Sequence, residues 1–82
     1  MSRNEELTLF NRIAHVREEM GLSRKALADA VGVHYQTIGY LERGEYSPSL
    51  SLALRISSAL GRPIEQLLSV EPFASDEERT HE

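Results

Sequence analysis

The sequence predicts a small all-α domain of five short helices. Three observations carry the prediction. Apolar residues recur at three- and four-residue spacing in one segment after another, as one face of a helix requires. Glycines punctuate those segments at Gly21, Gly32, Gly44 and Gly61, where helices commonly end. No stretch reads as a strand. At 82 residues the chain is one domain at most. Its core is small, and without cysteine no disulfide braces it. Packing against a second copy is then a route to stability.

The first helix is expected over Glu5–Met20, with Ile13, Val16 and Met20 on one side and Leu9 preceding them. Gly21 stops it. Ser23 caps the second helix, Arg24–Val31, which buries Leu27, Ala28 and Val31. Val33 and His34 lead into the third, Tyr35–Arg43, which Gly44 ends. The segment EYSPS is a turn, with Ser47 expected to cap the fourth helix and Pro48 at its first position. That helix carries Leu50, Ala53, Leu54, Ile56 and Leu60, and Gly61 closes it. Pro63 starts a short fifth helix with Ile64, Leu67 and Leu68.

The segment RKALADAVGVHYQTIGYLER, Arg24–Arg43, holds the most specific pattern. Two short helices crossing at a tight turn need a small side chain at the contact, and Ala28 is there. The turn favours a residue free to take positive φ, and Gly32 is there. Leu27, Val31, Val33, Ile38 and Leu41 are apolar where the pair must bury a seam.

With Tyr35 set at 0°, Ile38 falls near 300° and Leu41 near 240°, so the core side centres at about 270°. Gln36, at about 100°, and Arg43, at about 80°, lie opposite. Gly39 and Tyr40 flank them and Tyr35 sits at one edge. The open face is therefore Tyr35, Gln36, Gly39, Tyr40 and Arg43.

The segment and its flanks, NRIAHVREEMGLSRKALADAVGV before and YLERGEYSPSLSLALRISSALGRPIEQLL after, resemble the Xre-type family of phage lambda repressor-like (Cro-like) helix-turn-helix domains. The likeness spans residues 9–69. It implies a five-helix lambda repressor-like fold with the helix-turn-helix at its second and third helices. It also implies binding to double-stranded DNA as a homodimer, and regulation of transcription, mostly as a repressor on a near-palindromic operator. The helix over residues 35–43 would enter the major groove.

The resemblance places base contacts at Tyr35, Gln36 and Tyr40. Gln36 suits direct readout, since its amide donates and accepts at once and so matches adenine. Tyr35 and Tyr40 have two roles open: thymine methyls or phosphates, or ordinary packing at the helix edge, which for Tyr40 is a dimer or loop contact. Gly39 either lets the sugar-phosphate backbone approach or is a glycine tolerated by its neighbours. Phosphate contacts are expected from Ser23, Arg24, Lys25, His34, Thr37 and Arg43, with His34 alternatively an indifferent cap or turn residue. Arg24 and Lys25 open a helix, where free N–H groups and the dipole favour an anion. The family often has glutamine where Arg24 stands, asparagine where Arg43 stands and lysine where Glu45 stands; Glu45 weakens a phosphate role for its loop. The family also pairs the glutamate matching Glu42 with an arginine matching Arg17, which implies a structural Arg17–Glu42 ion pair.

The acidic balance does not oppose DNA binding. Residues 1–70 hold eight Lys/Arg and eight Asp/Glu, a net of zero, whereas residues 71–82 hold five acids and one arginine, a net of −4. Two parts follow: a DNA-binding domain over 1–70 and an acidic C-terminal tail over 71–82, expected to be disordered beyond Phe73. Arg24, Lys25 and Arg43 give about three cationic phosphate contacts per protomer, too few for a strong complex, and two protomers double them. Ile64, Leu67, Leu68, Val70 and Phe73 are the expected pairing surface, some of them also closing the small core, with Phe73 alternatively tucked under the last helix.

An enzyme is not expected. His15, His34 and His81 are far apart, no Cys/His cluster offers a metal site, no glycine-rich loop cradles a phosphate, and no cofactor is implied. The N-terminus lacks the apolar run of a signal peptide, and no segment approaches the length of a membrane span, so a cytoplasmic protein is expected. The rival reading is a protein-interaction module, an antitoxin or adaptor, whose partner engages the C-terminal tail.

Overall fold

The computed structural model describes residues 9–73, and the chain there forms five helices and one two-stranded antiparallel sheet. In order these are β1 (Phe10–Asn11), α1 (Ile13–Glu19), α2 (Arg24–Val31), α3 (Tyr35–Glu42), α4 (Leu50–Leu60), α5 (Ile64–Leu67) and β2 (Leu68–Ser69). The expected disorder of the tail concerns residues 74–82, outside the described residues.

The core is one cluster of Ile13, Val16, Leu27, Ala28, Val31, Ile38, Leu41, Leu52, Ile56, Leu60 and Leu67, with contributions from all five helices. Leu22, Val33, Ala59 and Leu68 close its edges. The seam predicted for α2 and α3 is therefore continuous with a scaffold built by α1, α4 and α5.

The sheet corrects the expectation of no strand and shortens the first helix. Phe10 pairs with Ser69 and Asn11 with Leu68. Arg12 N–H donates to Leu67 O at 2.9 Å, so this backbone is tied across the molecule and not along a helix. Asn11 then stops the helix from extending backward: its Oδ1 accepts from Ile13 N–H at 3.2 Å while its Nδ2 donates to Leu41 O at 3.0 Å. The helix begins at Ile13 and not at Glu5, and Leu9 lies outside it. Leu68 is extended, φ −135° and ψ 140°, so the fifth helix ends at Leu67.

The start of the fourth helix is a third correction. Ser49, not Ser47, is the cap, and its Oγ accepts from Leu52 N–H at 3.1 Å. Pro48 precedes the cap instead of opening the helix. Pro48 and Ala53 line the same apolar groove, as residues flanking a cap do in a hydrophobic staple.

The α2–α3 turn forms as its residues require. Gly32 has φ +80°, and its N–H donates to Ala28 O at 2.8 Å. Arg55 of α4 supplies a second brace that the pattern did not reveal: Nη1 donates to Val31 O at 2.7 Å, at the end of α2.

Candidate nucleic-acid interface

Ser23 opens α2 by accepting from Ala26 N–H at 2.9 Å. This leaves the Ser23 hydroxyl hydrogen, the guanidinium of Arg24 and the ammonium of Lys25 at a helix start with free N–H groups. His34 opens α3 with Nδ1 accepting from Gln36 N–H at 3.1 Å. That bond assigns the ring proton of a neutral His34 to Nε2, which faces away from the cap. The His34 ring stacks on Tyr35 with centroids 4.5 Å apart.

Beyond these starts lies an open cleft of about 250 Å³ lined by Arg24, Tyr35, Gln36, Gly39, Tyr40 and Arg43. It joins the first residue of α2 to the outer face of α3. Tyr35, Gln36, Gly39 and Tyr40 of α3 and its C-cap Arg43 are the residues that the 100° geometry places on the open face. Tyr35 and Tyr40 are both exposed by nearly half. Gly39 is the correction: it is buried, not open, because the side chain of Arg43 folds back across it. Thr37 is half-buried and does not line the cleft.

The cations around the cleft are held by carboxylates. Arg43 meets Glu45, with Nε 3.2 Å from Oε2 and Nη2 3.3 Å from Oε1. Lys25 meets Asp29 at 3.2 Å, one turn along α2. Arg24 Nε donates to Glu42 Oε1 at 3.0 Å. Arg43 also lies over the ring of Tyr40, with Cζ 5.2 Å from the centroid. The role of Glu45 was missed from sequence; its two-residue spacing from Arg43 is a signal only once the turn after α3 is known.

Glu42 joins three elements. Its side chain is 3% exposed and accepts from Arg17 Nε at 2.6 Å, while the Arg17 side chain is 8% exposed. Arg17 also donates through Nη1 to Leu22 O at 2.8 Å. The hydrogen bond with Glu42 raises the Arg17 pKa above its ordinary value against the opposing cost of burial, so the guanidinium stays charged. One carboxylate thus holds α1, the start of α2 and the end of α3 together, and fixes Arg24 beside the cleft.

The expected pairing surface needs one correction. Leu67 is 1% exposed and belongs to the core, so it is not available to a second molecule. Ile64 and Leu68 are half-buried and line an open apolar groove of about 410 Å³ with Leu9, Leu50 and Val70. Phe73 is half-buried, and the guanidinium of Arg12 lies 5.6 Å from its ring centroid. Among the described residues no helix is long and apolar enough to cross a membrane.

A family model described as helix-turn-helix, HTH_3, matches residues 13–67. An uncharacterized HTH-type transcriptional regulator of Methanothermobacter thermautotrophicus is 61% identical over 46 residues, which are 56% of this chain and 67% of that protein. The HTH-type regulator YgzD of Bacillus subtilis is 38% identical over 61 residues, 74% of this chain and 92% of that protein. The crystal structure of the restriction-modification controller protein C.AhdI from Aeromonas hydrophila superposes with a TM-score of 0.64 at 31% identity, covering 67% of this chain and 83% of that one. The chain belongs to the HTH_3 helix-turn-helix family of DNA-binding, non-enzymatic transcriptional regulators.

Proposed function

We propose that the chain represses transcription by binding a near-palindromic operator as a homodimer in the cytoplasm, with α3 in the major groove. The observation that carries this reading is the cleft that sets Arg24 of α2 beside Tyr35, Gln36 and Tyr40 of α3 on one open face. Gln36 pairs with an adenine edge, and Tyr35 and Tyr40 contact thymine methyls beside it. Ser23, Arg24, Lys25, His34 and Thr37 hold phosphates at the two helix starts, His34 through Nε2–H.

The apolar groove supports the dimer. Leu50 and Val70 are 72% and 69% exposed, and they extend the surface of Ile64 and Leu68. Dimers of this motif set their two recognition helices about 34 Å apart, one turn of the duplex.

Binding to a duplex from the chain's own upstream region and to random duplexes, at two salt concentrations, tests the function. Preference for the upstream duplex, with steep weakening by salt, is the expected result. Equal affinity for all duplexes would overturn it.

A further inference from the structure

We propose that Arg43 reads a guanine in the major groove and that Glu45, Tyr40 and Gly39 position it for that purpose. The inference rests on the placement of α3 in the groove. It moves Arg43 from the phosphate contact expected from sequence to a base contact.

The guanidinium has five N–H donors in a planar fork. Glu45 takes one edge of that fork, through Nε and Nη2. The end-on edge, Nη1 together with the second hydrogen of Nη2, makes no hydrogen bond among the described residues. Two parallel donors are what guanine O6 and N7 accept, and the pairing is bidentate. A carboxylate on one edge and a base on the other use the fork fully without competing.

Three observations place the guanidinium over the outer face of α3, inside the cleft. Side chains on a helix lean toward its N-terminus, and Arg43 does so. Its Nη1 comes within 3.3 Å of where a Cβ on Gly39 would stand. Its Cζ lies over the Tyr40 ring, which holds the guanidinium plane. The charge is therefore in the middle of the cleft with Gln36, not at the end of the helix where a phosphate contact would sit. Gly39 leaves the space that this requires. Its cost in helix propensity, about 1 kcal/mol against alanine, is explained by that space.

Selection of bound duplexes from a random pool, followed by affinity measurements on single-base variants of the selected site, tests the proposal. The wild-type chain should select a guanine in each half-site. Arg43→Lys keeps the charge and loses the fork, so the preference at that one position should fall by roughly 5- to 150-fold while the adenine position is unchanged. Glu45→Gln and Gly39→Ala should weaken the same position, with Gly39→Ala at least as heat-stable as the wild type. If Arg43→Lys leaves every base preference intact, Arg43 is not a base contact and the proposal fails. If Glu45→Gln tightens binding to all duplexes alike, Glu45 only repels DNA and its positioning role fails. A wild-type chain that selects no sequence would overturn the sequence-specific function itself, a different result from either.

Discussion

A single side chain on α3 can carry either sequence information or bulk affinity, and substitution separates the two. Gln36 is exposed in the cleft with a free amide, whereas Arg24 stands at a helix start with Nε tied to Glu42. Gln36→Ala should therefore cost about 1–3 kcal/mol at one base position and little elsewhere. Arg24→Ala should weaken all sequences alike and make the salt slope shallower by roughly one per protomer. Affinity measured on single-base operator variants checks both, and equal losses on every duplex for both substitutions would invalidate the assignment. Gly32 shows a residue whose backbone matters more than its contacts. At φ +80° an alanine there is strained by roughly 1–2 kcal/mol, and its Cβ would meet Arg55 Nη1 at 3.4 Å. Thermal unfolding of Gly32→Ala should show that loss. An unchanged midpoint would mean the turn relaxes at no cost.

At the scale of elements, the orientation of α3 depends on one buried carboxylate. Glu42 neutralises Arg17 from α1 and holds Arg24 from α2, so removing it leaves the buried Arg17 guanidinium with only the exposed Glu18 carboxylate at 3.5 Å and the Leu22 carbonyl. Glu42→Ala should destabilise the domain by about 3–5 kcal/mol. Replacing Arg17 and Glu42 together by methionine and leucine removes both buried charges, and most of that loss should be recovered. Urea unfolding of the two variants checks this, and a single variant as stable as the double one would show that the pair is not a structural tie. The β1–β2 pairing has a similar task. Asn11 bonds to the end of α3 at Leu41 O while its strand pairs with Leu68. The first and last described elements are thereby joined to the helix that carries the cleft.

For the whole molecule, affinity depends on copy number. With Arg43 used on a base, Arg24 and Lys25 leave about two cationic phosphate contacts per protomer, and a dimer makes about four. The expected slope of log affinity against log salt is then about −3.6 for the dimer. Leu50 and Val70 are exposed in the single chain, so charges placed there should not disturb its core. Leu50→Asp with Val70→Asp should keep the helical circular dichroism, sediment as a monomer and bind operator with a slope about half as steep. A dimer that survives both substitutions would place the pairing surface elsewhere.

The division between sequence and tertiary structure follows from the range of the interactions. Helices α2 and α3, the turn at Gly32 and the open face of α3 were legible in sequence, because 3.6-residue periodicity, caps and positive-φ glycines act within a few residues. The start of α1 was not legible. Leu9 fits the apolar stripe, but the backbone around it pairs with residues almost sixty positions away. Ser47 and Ser49 are equally good caps locally, and the packing of Pro48 against the groove selects Ser49. Leu67 reads as surface or core with equal ease until the other four helices are present. Gly39 counts as exposed on a helical wheel, which has no room for a side chain folding back from the next turn. Sequence alone determined which face of α3 is open. Only the tertiary structure decided what that face offers, because the direction of Arg43 is set by Glu45 beyond the helix and by the ring and the empty space one turn behind it.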